Sequence, residues 1–275
     1  MTVGENARDQ GYVLGHSDRE LERLEQQATF FGDMTRDVLV RAGLAPGMRV
    51  LDLGCGVGDV SMIAADLVGA DGAVTGIDIS PDALAIAERR AKASGRAAGF
   101  RHSSIDDFEG FDGFDAVVGR FIMVHLPKAR ETLGRVVAGA KPGTIVAFAE
   151  LDLSTVSATG ETPLLNRCVQ WIAEVYRRAG LDPNPGTGLF ATFRAVGLKP
   201  QMYGMTRIGD GGDVPGFVFL AESVRSMLPM IEKLGIASAA EIEVDTLLTR
   251  LLAEAKAADP CVFYPRFIGA WARVE

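Results

Sequence analysis

Residues 51–59 read LDLGCGVGD: an apolar run carrying one acid, then glycines at alternating positions, then a second acid. RVLDLG has almost no polarity, as expected of a short strand buried on both faces. The segment after the loop, VSMIAADLVG, reads as a helix. In a strand, glycine loop and helix of this kind, glycine lets the backbone come close to a ligand, and the helix offers free N–H groups at its positive end. The spacing narrows the choice of nucleotide. A dinucleotide loop follows GxGxxG, with the third glycine packing helix against strand. Here the order is Gly54, Cys55, Gly56, Val57, Gly58, Asp59, so the third glycine comes one residue early. No GK[ST] follows, which excludes a P-loop.

A second acid supports the site. Asp78 lies 20 residues after Gly58 at the end of the strand AVTGIDIS, where a carboxylate can accept both hydroxyls of a ribose. Its competing role is a helix cap, but Ser80 is better placed for that, just before Pro81. Further on, PDALAIAERRAKASG and KARETLGRVVAGA read as helices, and AGFRHSS, FDAVVGR and TIVAFAEL as strands. Strand and helix alternate through residue 150, which predicts a doubly wound α/β fold with a parallel sheet and helices on both faces. Upstream, residues 18–42 read as a helix with a Ser17/Glu20 capping box, stopped by Gly43 and Pro46.

After Glu150 the rhythm changes. Residues 151–160 read as loop, 163–180 as an amphipathic helix, LDPNPGTG as a linker and LFATFRAVGL as a short helix. KPQMYGMTRIG reads as one strand, residues 214–258 as two helices, and 261–273 as a closing strand.

The set LDLGCGVGD, IDIS, FDAVVGRFIMVHL and KPGTIVAFAE resembles the class I S-adenosylmethionine (SAM) dependent methyltransferases. Within them it is most similar to small-molecule enzymes of the ubiquinone/menaquinone C-methyltransferase type, over about residues 40–150. The resemblance implies a Rossmann-like seven-stranded sheet with the last strand antiparallel, and SAM as cofactor with S-adenosylhomocysteine as product. It implies that Asp52 orders the glycine loop or reaches the methionine amino group through water. Gly54, Gly56 and Gly58, with Cys55 and Asp59 of the same loop, would pass under the methionine. Asp78 would hold the ribose, Ile79 would pack on the adenine, and Ser104 and Ile105 would flank its edge. Relatives often carry Asp at the position of Ser104, and Asp106 could substitute. Backbone at Gly119 and Arg120 would meet the methionine end, and Tyr12 would close over the cofactor as a lid.

On the acceptor side, His125 lies just past the fourth strand and is a candidate base, with a satisfied loop histidine as the plain alternative. Glu150 finishes an apolar strand and is the other catalytic candidate, with an ion pair to Arg120 as its plain alternative. Trp171, Tyr176, Phe217, Phe219 and Met227 are candidates to line an apolar acceptor pocket, although such stripes are more often core. The expected organisation is a lid and helix over 1–45 and a SAM-binding core over 46–150. Helical cap insertions follow over 151–187 and 209–258, and the remaining core helix and strands occupy 188–208 and 259–275.

Composition narrows the partners. A net charge of −8, a pI of about 5.1 and the lack of a Lys/Arg run argue against nucleic acid. No NPPY-type motif of nucleic-acid amino methylation follows FDAVVGR. Cys55, Cys168 and Cys261 form no CxxC pair, so the expectation is reduced thiols in a cytoplasmic protein and no metal. The N-terminus lacks signal-peptide character, and no stretch reads as a membrane span of ~20 apolar residues. The expected activity is methyl transfer to an O, N or C atom of a small, partly apolar metabolite, in secondary metabolism or quinone-type biosynthesis, by a monomer or homodimer. The rivals are a catalytically silent SAM-binding partner or sensor and an NAD(P)-dependent oxidoreductase. The early third glycine weighs against the oxidoreductase.

Overall fold

The computed structural model describes residues 18–275, with side chains from residue 30 onward. Tyr12 and Ser17 therefore lie outside the described residues, and the Ser17/Glu20 capping box is not described. The first half alternates as the sequence reads: α1 (Asp18–Ala42), β1 (Arg49–Leu53), α2 (Asp59–Val68), β2 (Ala73–Asp78), α3 (Pro81–Ser94), β3 (Ala98–His102), β4 (Ala116–Arg120), α4 (Ala129–Gly139) and β5 (Ile145–Asp152). Local chemistry sets the ends of α3. Ser80 Oγ accepts from Ala83 N–H, Pro81 occupies the first turn, and Gly95 ends the helix in the left-handed region.

The second half runs β6 (Ser157–Ala158), α5 (Pro163–Arg178), α6 (Pro185–Ala195), β7 (Gln201–Met205), β8 (Ile208–Gly209), α7 (Val214–Lys233), α8 (Ala239–Ile242), α9 (Leu247–Ala258), β9 (Val262–Phe263) and β10 (Arg266–Arg273). The main sheet has seven strands in the order β3-β2-β1-β4-β5-β10-β7. β1 to β5 pair in parallel, and the final strand β10 runs antiparallel between β5 and β7. Side chains alternate between two cores. Val50, Val118, Ala147 and Ala149 face α1, α2 and the later helices; Leu51, Val117, Val146 and Phe148 face the opposite core, which also takes Leu133 and Phe193. Both faces are covered, which is why these strands read as continuous apolar runs.

The structure corrects several boundaries. β5 continues to Asp152 because its buried carboxylate is satisfied there, by Thr187 N–H (2.9 Å), Thr187 Oγ1 (2.5 Å) and Arg266 (2.9 Å). The expected loop then holds a 3₁₀ turn and β6. α6 starts at Pro185, inside the expected linker. KPQMYGMTRIG divides into β7 and β8, and the closing strand into β9 and β10. The short pieces make a separate sheet, β6-β9-β8. The second helix of 214–258 breaks at Glu243, which takes a left-handed φ of 47°, after a capping box at Ser238 and Glu241 has started α8. α7 is long and apolar enough to cross a membrane, contrary to the sequence reading. It is half buried, packed against α1, α5 and α9, as a core helix is.

Candidate functional site

The glycine loop leaves β1 with Gly54, Gly56 and Gly58 at φ of 65°, 53° and 87°, a region that costs other residues about 1 kcal/mol or more. Their surroundings differ. A Cβ at Gly54 would run into the Ile122 side chain, and one at Gly58 would meet Ala87 and Phe100 at 3.1 Å. A Cβ at Gly56 would meet nothing within 4 Å. Two glycines are thus needed by the fold itself, and Gly56 alone faces open space. Gly54→Ala is expected to lower stability by about 2–4 kcal/mol, through backbone strain and displacement of Ile122. Gly56→Ala should cost only about 1 kcal/mol of strain while filling the space a ligand needs. Denaturant melts of the two variants check the contrast.

Asp78 staples the loop. Its Oδ2 accepts from Gly56 N–H (2.8 Å) and its Oδ1 from Ser80 N–H (2.9 Å). The helix-capping side chain is that of Ser80. Cys55 is buried with its sulfur against Gly76, and burial pushes its thiol far up.

Beneath the loop lies a charged network. Asp52 is fully buried; Ser61 Oγ donates to its Oδ2 (2.6 Å), while Oδ1 has no partner. Burial pushes the Asp52 carboxyl up to about 7, against the Ser61 hydrogen bond and the charge of Arg120. Asp59, on the first turn of α2, pairs with Arg90 (2.7 Å) and Arg120 (3.3 Å). Arg90 also donates to Val57 O (2.6 Å), and Arg120 to Thr35 Oγ1 on α1 (2.9 Å). Asp59 therefore ties the loop to α3 and β4, and Arg120 extends the tie to α1. The alternative pairing of Arg120 with Glu150 does not occur, because its guanidinium turns toward Asp59.

At the tip of β4, Gly119 leaves room for Phe148 and Ile122. Phe121 then adopts a left-handed φ of 56°, rare for an aromatic residue, and packs its ring against Phe31 (5.2 Å) and Phe267 (5.8 Å). The 3₁₀ turn Met123–His125 follows. Glu150 organises that turn: it is buried, and its Oε1 accepts from Met123 N–H (2.7 Å). Burial pushes the Glu150 carboxyl up to about 8, opposed by the N–H groups of Met123, Val124 and Ile122. His125 is half-buried at the end of the turn, its N–H bonded to Ile122 O (3.0 Å).

On the other side of the loop, Ile79 is 51% exposed beside Asp78, and His102 Nε2 hydrogen-bonds its carbonyl (3.1 Å). Ser104 is engaged locally, donating to Asp107 Oδ2 (2.7 Å) and accepting from Asp107 N–H (3.0 Å). Arg135 of α4 donates to the carbonyls of Ile105 and Asp106 and reaches the Asp106 carboxylate (3.3 Å). Ile105 itself is buried.

Trp171 and Tyr176 of α5 and Phe217, Phe219 and Met227 of α7 all face the core, each less than a tenth exposed. Phe219 stacks on Phe30 of α1 at 5.1 Å. Among the described residues no cluster of three or more His, Cys, Asp and Glu could hold a metal ion. The glycine loop, Asp78 and Ile79 come together at one rim of the sheet, as the sequence reading has them. Ile122, Phe121, Thr35 and Arg90 join them without having been singled out. The first two follow the β4 motif directly; Thr35 and Arg90 lie on distant helices, and nothing local marks them.

Comparison with known proteins adds a lineage. The family described as "Methyltransferase domain" matches residues 44–177. The ubiquinone biosynthesis O-methyltransferase of Thiobacillus denitrificans is 30% identical over 172 residues, covering 56% of this chain and 72% of that one. The enzyme of the same name from Aromatoleum aromaticum is 34% identical over 113 residues, covering 40% of this chain. There the match spans 47% of the relative, about half its length. The YcgJ protein of Bacillus subtilis shares the fold at a TM-score of 0.55 and 17% identity, over 88% of this chain and 99% of that one.

Proposed function

This chain belongs to the class I SAM-dependent methyltransferases, with SAM as cofactor, and on that premise we propose that it methylates an O, N or C atom of a small, partly apolar metabolite. The observation that carries the reading is the open space over Gly56 between two acids, Asp78 at its side and Asp52 beneath. These residues fit SAM. Each Asp78 oxygen accepts one N–H and keeps a lone pair, so the carboxylate can also receive ribose hydroxyls. Ile79 offers an exposed apolar side chain for an adenine face. Asp52 Oδ1, buried without a partner, is an acceptor suited to a water bridging to the methionine ammonium.

The bound cofactor supplies an electrophilic sulfonium methyl. The residues of the chain contribute alignment and exclusion of water. Asp59, Arg90 and Arg120 keep the loop and the β4 tip in register. Glu150 holds the turn that presents His125, which in this reading removes the acceptor's proton where one must be lost. The names of two relatives place a quinone-type hydroxyl among the acceptors to be tested first. A small-molecule partner also suits the acidic surface, and a cytoplasmic monomer or homodimer remains the organisation we propose.

The test is to incubate the protein with SAM and a panel of quinols, phenols and amines, and to measure S-adenosylhomocysteine. At least a 100-fold excess over the uncatalysed rate with one hydroxyl acceptor is expected. SAM binding without turnover across the panel would favour the silent, sensor-type reading. NADH binding in place of SAM would overturn both.

A further inference from the structure

Thr35 lies well inside α1 and is buried. At such a position a β-branched alcohol needs partners for its hydroxyl. Thr35 has two. Its Oγ1 donates to Phe31 O one turn back (2.8 Å), which spends its proton and leaves its lone pairs to accept from Arg120 Nη1 (2.9 Å). Arg120 is thus held at two points, and they are unequal. Its contact with Asp59 Oδ2 is long (3.3 Å), while Asp59 gives its shorter contact (2.7 Å) to Arg90. Thr35 therefore supplies the closer of the two contacts that fix this buried guanidinium.

Two walls of the cofactor space depend on where Arg120 sits. On one side Asp59 starts α2 directly after Gly58, and Arg90 bridges Asp59 to Val57 O in the loop. On the other, the chain after Arg120 turns through the left-handed Phe121 to Ile122, whose side chain fills the space beside Gly54. The Arg120 charge also acts on the Asp52 carboxyl.

We propose that Thr35 is a positioning residue for the cofactor: its hydroxyl fixes Arg120 against Asp59, so that SAM binding and the docking of α1 reinforce each other. The inference rests on the cofactor reading above and deepens it, by making a helix outside the glycine loop part of the binding equilibrium. Without the hydroxyl, a buried guanidinium N–H loses its acceptor, and the guanidinium turns away from the geometry that serves Asp59. Such coupling is reciprocal: the factor by which docked α1 raises SAM affinity is the factor by which SAM favours docked α1. The helix keeps its apolar anchors, Phe30 on Phe219 (5.1 Å) and Phe31 on Phe267 (5.8 Å), so removing the hydroxyl cuts the polar tie and leaves α1 folded.

Thr35→Val keeps the shape and removes the hydroxyl, whereas Thr35→Ser keeps the hydroxyl and removes a methyl. Calorimetric titration of the full chain with S-adenosylhomocysteine should show binding weakened by about threefold or more in the valine variant and within about twofold of wild type in the serine variant. A packing role predicts the opposite order. Hydrogen exchange separates coupling from general stabilisation. Saturating S-adenosylhomocysteine should slow exchange of residues 30–42 by about twofold or more in the wild type and the serine variant. In the saturated valine variant it should still slow residues 54–58 but not 30–42. The proposal is overturned by a smaller loss of affinity in the valine variant, or by a larger loss in serine than in valine. It is equally overturned, with no variant needed, by wild-type binding that leaves exchange of residues 30–42 unchanged. Failure of the wild type to bind either SAM or S-adenosylhomocysteine is a different result: it removes the cofactor reading, and this inference with it.

Discussion

Asp78→Ala is expected to weaken SAM binding by about 100-fold, the loss of two charge-assisted hydrogen bonds to ribose hydroxyls. The same change removes the acceptor for Gly56 N–H and Ser80 N–H, so the loop loses its staple to β2. The two consequences separate experimentally. Loss of the staple lowers the denaturant midpoint of the free protein by about 1–2 kcal/mol. Loss of ribose contacts appears only in calorimetric titration with SAM. Asp78→Asn sharpens the comparison, because one amide oxygen can serve Gly56 or Ser80 but not both, and its NH₂ faces a donor. An intermediate stability with a full loss of affinity is expected for Asn. Wild-type affinity in the alanine variant would remove Asp78 from the cofactor site and leave it a purely structural staple.

The parallel core was legible because each of its strands is bounded by chemistry that works locally. The spacing of Gly54, Gly56 and Gly58, the Ser80-Pro81 start of α3 and the apolar runs of β1, β4 and β5 each specify their own conformation. The second half was legible only in outline. Tyr264 packs against Gly216, and its N–H bonds to Arg207 O (3.0 Å); that contact separates β9 from β10, and it joins residues about 50 positions apart. The break between α8 and α9 rests on Glu243 in a conformation its side chain does not favour, supported by Arg250, which donates to Glu243 O (3.3 Å). Site residues divide the same way. Asp78 stands out because a strand ends on it. Asp59 looked like a misfit where a third glycine belongs, and its purpose depends on Arg90 and Arg120, which only the fold brings near. Glu150 stands out as a charge at the end of an apolar strand, but nothing local in the sequence shows that backbone N–H groups receive it.

That placement makes Glu150 the most informative residue for pH. Unfolded, its carboxyl titrates near 4.5; folded, burial moves it to about 8. Between those values the unfolded chain has released a proton that the folded chain keeps, so stability falls as pH rises through the window and levels off above it. Asp52 acts in the same direction between 3.8 and about 7. The wild type should therefore lose a few kcal/mol, roughly, from pH 5 to pH 8. Glu150→Gln keeps an acceptor for Met123 N–H and cannot ionise, so its stability should stop falling near pH 7, where only Asp52 has been titrating. Denaturant midpoints at intervals of half a pH unit read the difference. Glu150→Ala leaves the Met123 N–H without its buried acceptor and should cost about 1–3 kcal/mol at every pH. Activity then separates two roles. If Glu150 acts only by holding the turn under Ile122 and His125, the glutamine variant keeps kcat within about threefold, less than 1 kcal/mol of barrier, while the alanine variant does not. If the glutamine variant folds as expected but loses kcat by about 100-fold or more, the carboxyl reaches the acceptor and His125 is not the sole base.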